Sequence, residues 1–183
     1  MGRKDLMWKN IQRAQRIHSN TNDFAFCPKT YIFPEDFRKF CIERESAGNK
    51  LMYIMKPSAS SCGKGIKVIG PKTQVTRKSG YVVSQYVSNP HLIDGLKYDL
   101  RIYVLVTCFD PLKIFLFKEG LVRFATQKYS NNPKHLEKRF IHLTNYSVNK
   151  RAEDYVKSGA AGDGDEDEED ASKWNLFQLK KWF

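Results

Sequence analysis

The apolar positions of the chain change period along its length. From residue 4 to 18, Met7, Ile11, Ala14 and His18 recur every three or four positions with bases between them, which predicts an amphipathic helix. Pro34 followed by Glu35 and Asp36 has the make-up of a helix start and sets Phe37, Phe40 and Cys41 on one face of a second helix. The pattern then shortens to strand-like runs at Leu51–Met55, Gly65–Ile69, Tyr81–Val87, Tyr98–Cys108, Leu112–Phe117 and Leu121–Ala125. Turn residues Asp110-Pro111 and Glu119-Gly120 link the last three runs and predict an antiparallel meander. The expected class is α+β. Residues 158–172, SGAAGDGDEDEEDAS, have no apolar periodicity and predict an acidic disordered insertion, after which Trp174–Phe183 opens a further helical pattern.

The length of 183 residues suits one domain, and 41% apolar with 13% aromatic residues supplies a core, which excludes wholesale disorder. The net charge of +11 is unevenly spread. Seven of the twenty acids fall between Asp163 and Asp170, so the rest of the chain sets thirty-one bases against thirteen acids, a charge of +18. Such a field attracts polyanions: nucleic acid, an anionic membrane face or an acidic protein tail. No run approaches the ~20 apolar residues of a spanning helix. The start, MGRKDLMWKN, lacks the apolar stretch of a signal peptide, and Leu6 stands where a myristoylation signal wants Ser or Thr. A cytoplasmic protein is expected. Cys27, Cys41, Cys62 and Cys108 have the spacing of neither a zinc site nor a disulfide framework, so four reduced thiols are expected. Asn145-Tyr146-Ser147 matches the glycosylation pattern, a chance match in a cytosolic chain.

Two constellations carry candidate chemistry. A strand delivers Lys56-Pro57 at its end, followed by the small-residue loop Ser58-Ala59-Ser60-Ser61-Cys62-Gly63-Lys64-Gly65 and a further strand. That order suits a phosphate cradle, the loop bringing backbone N–H groups to oxygens while Lys56 supplies charge. It is neither the P-loop nor the dinucleotide fingerprint, and on its own a Gly-x-Gly hairpin is more often only a turn. The second is Lys97-Tyr98-Asp99-Leu100-Arg101, whose three charges alternate onto one face of a long strand; this suits the floor of a cleft, or simply an exposed face. Arg123 lies within another strand, and His142-Leu143-Thr144-Asn145-Tyr146-Ser147 mixes polar with apolar groups. His18, His91, His135 and His142 show no metal-ligand spacing and read as structural.

Taken in order, Lys56-Pro57, Gly63-Lys64-Gly65-Ile66, Val83-Ser84-Gln85-Tyr86-Val87, Lys97 to Val104, Gly120 to Thr126 and His142 to Ser147 closely resemble the tubulin tyrosine ligase-like family, as does the opening Gly2-Arg3-Lys4-Asp5. The match is nearest to the polyglutamylase branch and covers nearly all of residues 1–183 apart from the acidic insertion. The resemblance implies an ATP-grasp-like fold and an ATP-dependent ligase. Lys56 would hold the ATP phosphates beneath the loop at Gly63, Ser84, Gln85, Tyr86 and Val87 would run along the adenine, and Lys97, Tyr98 and Asp99 would contact the nucleotide. Thr144 and Asn145 would approach the phosphates, while Arg123, Tyr146, Ser147 and Lys173 would surround free glutamate; Lys56 and Arg123 would serve catalysis. A guanidinium fork is well shaped for the glutamate carboxylate.

The implied reaction activates a glutamate side chain of a tubulin C-terminal tail as an acyl phosphate, which the amine of free glutamate displaces to form an isopeptide bond, with ATP and Mg2+ required. Cytoplasm, cytoskeleton and microtubules follow as the setting, with cilium or basal body as a special case; no membrane and no specific nucleic acid are expected as partners. Two departures stand out. Cys62 occupies a position where the family often has a base. The Glu-x-Asn element that helps hold Mg2+ occurs nowhere in the sequence, so a metal site is expected beyond Phe183, and with it the missing C-terminal part of the ATP-binding lobe. The alternatives are a tubulin-tail-binding module without catalysis and a tubulin glycine ligase.

Overall fold

The computed structural model describes residues 2–155 and 172–183, so the insertion expected over 158–172 lies outside the described residues except for Ser172. The chain divides into two units, Met1–Pro90 with Asn131–Glu137 and His91–Ser130 with Lys138–Phe183, each built on its own four-stranded antiparallel sheet. This is a mixed α+β architecture.

In the first unit the elements follow as α1 (Lys4–Ile17), β1 (Thr30–Phe33), α2 (Phe37–Ala47), β2 (Tyr53–Pro57), β3 (Lys67–Ile69) and β4 (Tyr81–Gln85), with strand order β1-β4-β2-β3. Because side chains alternate along a strand, the sheet presents two apolar faces. Tyr31, Phe33, Tyr53, Ile69 and Val83 meet Phe40 of α2 in one cluster, with edge-to-face ring contacts between Tyr31, Phe33, Tyr53 and Phe40. Ile32 and Val82 meet Trp8 of α1 in another. The first helix therefore forms where its period predicts, and Ile11 packs inward as expected, but the buried face is centred differently: Trp8 is 5% exposed and Met7 40% exposed, while His18 lies just past the last helical residue. The large indole fits against Ile32 and Val82, and that tertiary contact outweighs the weak Met7–Ala14 stripe. In α2, Phe37 and Phe40 pack as expected, whereas Cys41 is exposed.

The second unit runs β5 (Leu92–Ile93), β6 (Leu96–Phe109), β7 (Leu112–Phe124), α3 (Arg139–His142), α4 (Tyr146–Asn149), β8 (Lys173–Asn175) and α5 (Leu176–Trp182), with strand order β5-β6-β7-β8. Its core gathers Ile93, Val122, Phe124, Trp174 and Leu179. The three-strand meander expected from the turn residues is instead one hairpin, since β7 passes straight through Glu119-Gly120. Gly120 stands opposite Ile102, and a Cβ there would lie 2.5 Å from the Arg101 carbonyl oxygen and 3.1 Å from Leu176 Cδ1. The glycine serves close approach rather than a turn. The third antiparallel neighbour is β8, with Trp174 in the core and α5 beginning only at Leu176 behind the reciprocal capping box of Asn175 and Gln178. Towards Asp110-Pro111 the hairpin exposes Val104, Leu105, Phe115 and Leu116. No helix among the described residues is long and apolar enough to cross a membrane.

Candidate functional site

In the first unit, β2 places half-buried Lys56 opposite Val82 of β4. Burial, reinforced by the nearby charge of Lys4, pushes the Lys56 ammonium below its ordinary pKa. Lys56 makes no hydrogen bond or ion pair among the described residues. Lys4 itself is committed: its Nζ donates to the carbonyls of Pro57 (3.0 Å) and Ser60 (2.6 Å), and its backbone N–H to that of Ser58 (3.2 Å). Ser58 N–H in turn donates to Gly80 O at 2.8 Å. The loop so held turns left-handed at Cys62 (φ 59°), Gly63 (φ 71°) and Gly65 (φ 69°), the kind of backbone that groups N–H donors around an anion. A Cβ on Gly65 would stand 2.9 Å from Pro57 Cγ, so glycine is needed there for space as well as for conformation. Cys62, where the resemblance leads one to expect a base, is exposed.

Ser84 and Gln85 close β4, where Ser84 accepts from Thr30 Oγ1 at 2.8 Å. The N–H groups of Gln85 and Tyr86 are spent on Lys29 O (2.8 Å) and Met52 O (2.9 Å). Tyr86 is buried and Val87 exposed, so an adenine along this segment would be met by Val87 and by groups other than those two N–H donors.

In the second unit, register brings three sequence-distant residues into one row. Asp99 of β6 pairs across to Arg123 of β7, which pairs across to Lys173 of β8. Arg123 Nε donates to Asp99 Oδ1 at 3.0 Å and Nη2 bonds Oδ2, a bidentate pair that raises the guanidinium pKa further. Two of the five guanidinium hydrogens are used, leaving three for a ligand. Lys173 Nζ lies 4.0 Å from the Tyr146 ring centroid and Lys150 Nζ 5.4 Å from the same ring. Lys97 Nζ donates to His142 O at 3.1 Å, which ties the strand to the segment carrying Thr144, Asn145 and Ser147. Tyr98 is not brought to this row: alternation turns it to the core face, against Phe124, with its hydroxyl 3.1 Å from His91 Nδ1.

The motif signals did not single out Lys4's hold on the loop, Lys150 or Asn149. Asn149 is 1% exposed; its Oδ1 accepts from Thr126 N–H and Oγ1, and its Nδ2 donates to Leu143 O and Asn145 O. An Asn beside Val148 in a short polar-apolar run was the available hint.

A strand lysine followed by a left-handed loop and an Asp–Arg–Lys row are arrangements that many folds could host separately. Here the sequence model of the tubulin-tyrosine ligase family matches residues 1–183. The chain belongs to that family. Among tubulin-tyrosine ligase relatives, it is 41% identical over 180 residues to the tubulin polyglutamylase TTLL5 of Homo sapiens, covering 98% of this chain and 14% of that protein. It is 43% identical over 179 residues to the tubulin monoglutamylase TTLL4 of Mus musculus, again 98% of this chain and 14% of the relative. To the tubulin polyglutamylase TTLL7 of Mus musculus it is 38% identical over 185 residues, 99% of this chain and 19% of the relative. The chain thus spans between a seventh and a fifth of the length of these curated relatives.

Proposed function

We propose that the protein is an ATP-dependent protein-glutamate ligase of ATP-grasp-like architecture. It joins free glutamate through an isopeptide bond to a glutamate side chain in a tubulin tail, working at microtubules in the cytoplasm, with cilium or basal body as a special setting. The observation that carries the reading is half-buried Lys56, which makes no hydrogen bond among the described residues and leads into a left-handed loop, in a chain whose relatives bear glutamylase names; within the second unit, the Asp99–Arg123–Lys173 row beside Tyr146 supports it separately.

ATP supplies the phosphoryl group that activates the acceptor carboxylate. In the first unit, Lys56 and the N–H groups around Gly63 would hold the phosphates and Ser84, Gln85, Tyr86 and Val87 would run along the adenine; in the second, Lys97 and Asp99 would contact the nucleotide while Thr144 and Asn145 approach its phosphates. The remaining hydrogens of Arg123 and the ammonium of Lys173 orient the carboxylates of the incoming glutamate, and Tyr146 and Ser147 border it. Asp99 keeps the guanidinium plane fixed, so the fork meets its ligand without reorganising. For Mg2+ the described residues do not fit: no three His, Cys, Asp or Glu side chains gather among them to hold a metal ion, and no step is assigned to a metal held by this chain.

The test supplies ATP, Mg2+, labelled glutamate and a glutamate-rich tubulin tail peptide to a protein carrying this chain. Label should enter the peptide only with ATP, and Lys56→Met should cut the rate by about 100-fold or more. Entry of labelled glycine instead of glutamate, or labelling that ignores Lys56, overturns the reading.

A further inference from the structure

The exposed side of α1 carries Lys9, Arg13 and Arg16. At 3.6 residues per turn they share an arc of about 60° and lie roughly 6 and 4.5 Å apart along the axis. None of the three makes an ion pair among the described residues, and Asp5, the acid of this helix, is committed to Arg3 at 2.6 Å. The buried side is fixed, since Trp8 and Ile11 pack against Ile32 and Val82. The N-terminus is fixed too, because Lys4 bonds Pro57, Ser58 and Ser60 at the start of the loop. The bases therefore form a rigid stripe whose first member stands five residues, about 7.5 Å along the axis, from the anchor at the loop.

We propose that this stripe is a docking surface for an extended, glutamate-rich peptide, the flank of the acceptor tail leading away from the loop. The inference rests on the ligase reading above. Alternate side chains of an extended peptide repeat every ~6.7 Å on one side, so three carboxylates of such a chain come within reach of three long, flexible cationic side chains. An acidic peptide is favoured over a nucleic acid because the stripe offers charge without a stacking platform: the aromatic residue of α1, Trp8, is 5% exposed. Charge complementarity of this kind acts chiefly on encounter and register.

The experiment measures binding of a fluorescein-labelled decaglutamate to the chain at ~50 mM salt by anisotropy. Lys9→Glu, Arg13→Glu and Arg16→Glu together should raise Kd about tenfold or more, a difference that closes near ~0.5 M salt. Glutamate is a good helix former, so unchanged circular dichroism is expected of the variant. A control with the same change in net charge, Lys113→Glu, Lys118→Glu and Lys180→Glu, should move Kd less than about twofold. Equal losses in both triple variants, or none in the α1 variant, overturn the docking surface and leave the ligase reading standing. A wild-type chain that prefers a decaserine peptide overturns the tail reading together with it. Tighter binding of a single-stranded oligonucleotide of equal charge refutes the peptide as occupant.

Discussion

Asn149 and Lys56 show two opposite treatments of a polar group taken from water. A buried amide is costly unless its donors and acceptors are met, and Asn149 meets them with four bonds, to Thr126 N–H (3.1 Å) and Oγ1 (3.0 Å) and to the carbonyls of Leu143 (2.6 Å) and Asn145 (3.2 Å). It thereby couples the end of β7 to the segment that carries Thr144 and Asn145. Asn149→Asp keeps the shape and the Oδ1 acceptor but turns two donated bonds into carboxylate–carbonyl repulsion. It should cost about 2–3 kcal/mol near neutral pH, measured by denaturant unfolding. The sign of its pH dependence follows from burial, which raises the new carboxyl's folded pKa above its unfolded value of ~3.9. The penalty is therefore full above the folded pKa and shrinks as pH falls through it; a penalty that grows in acid overturns this account. Lys56, by contrast, keeps its desolvated charge unmatched, the state expected of a group whose partner is a ligand.

At the level of elements, Gly120 shows how a turn-forming residue can mislead. Its lack of a side chain lets β7 run beside Arg101 O and under Leu176 of α5, and the neighbour at 2.5 Å is backbone, which has little room to yield. Gly120→Ala should therefore destabilise the chain by about 1–3 kcal/mol in urea unfolding and disturb the Asp99–Arg123 pairing that lies three residues along; an unchanged midpoint sinks the close-approach explanation. The same logic says what was legible in the sequence. Long runs with a clear period, such as β6, β4 and the first helix, could be placed because local pattern alone specifies them. The two-residue β5 and the TYIF strand β1, set between Pro28 and Pro34, could not, because short strands are defined by their partners. The buried side of α1 depended on which side chain met the sheet. Most candidate site residues were legible as motifs, but their bonding was not: that Arg123 would face Asp99 rather than stand open, and that Tyr98 would turn to the core, are consequences of register and alternation.

For the molecule as a whole, the +18 carried outside the acidic run dominates the field felt by a polyanion, and the run itself is its natural competitor. In the sequence Asp163–Asp170 is separated from Lys173 by only two residues, so the prediction is that these carboxylates compete with an acidic ligand for the cations of the Asp99–Arg123–Lys173 row. Removing residues 159–170 deletes seven acids and no base, which takes the net charge from +11 to +18. Two effects then act in the same direction on an acidic ligand: loss of competition at the row and a stronger long-range attraction. The apparent Kd for decaglutamate should fall several-fold at ~50 mM salt, with most of the gain gone by ~0.5 M, where the screening length is only a few ångströms. Competition and field separate on Lys173→Met, which removes the contested cation: if the gain on deletion survives there undiminished, the run acts through net charge alone, and if the deletion leaves Kd unchanged in the unsubstituted chain, it does not compete at all.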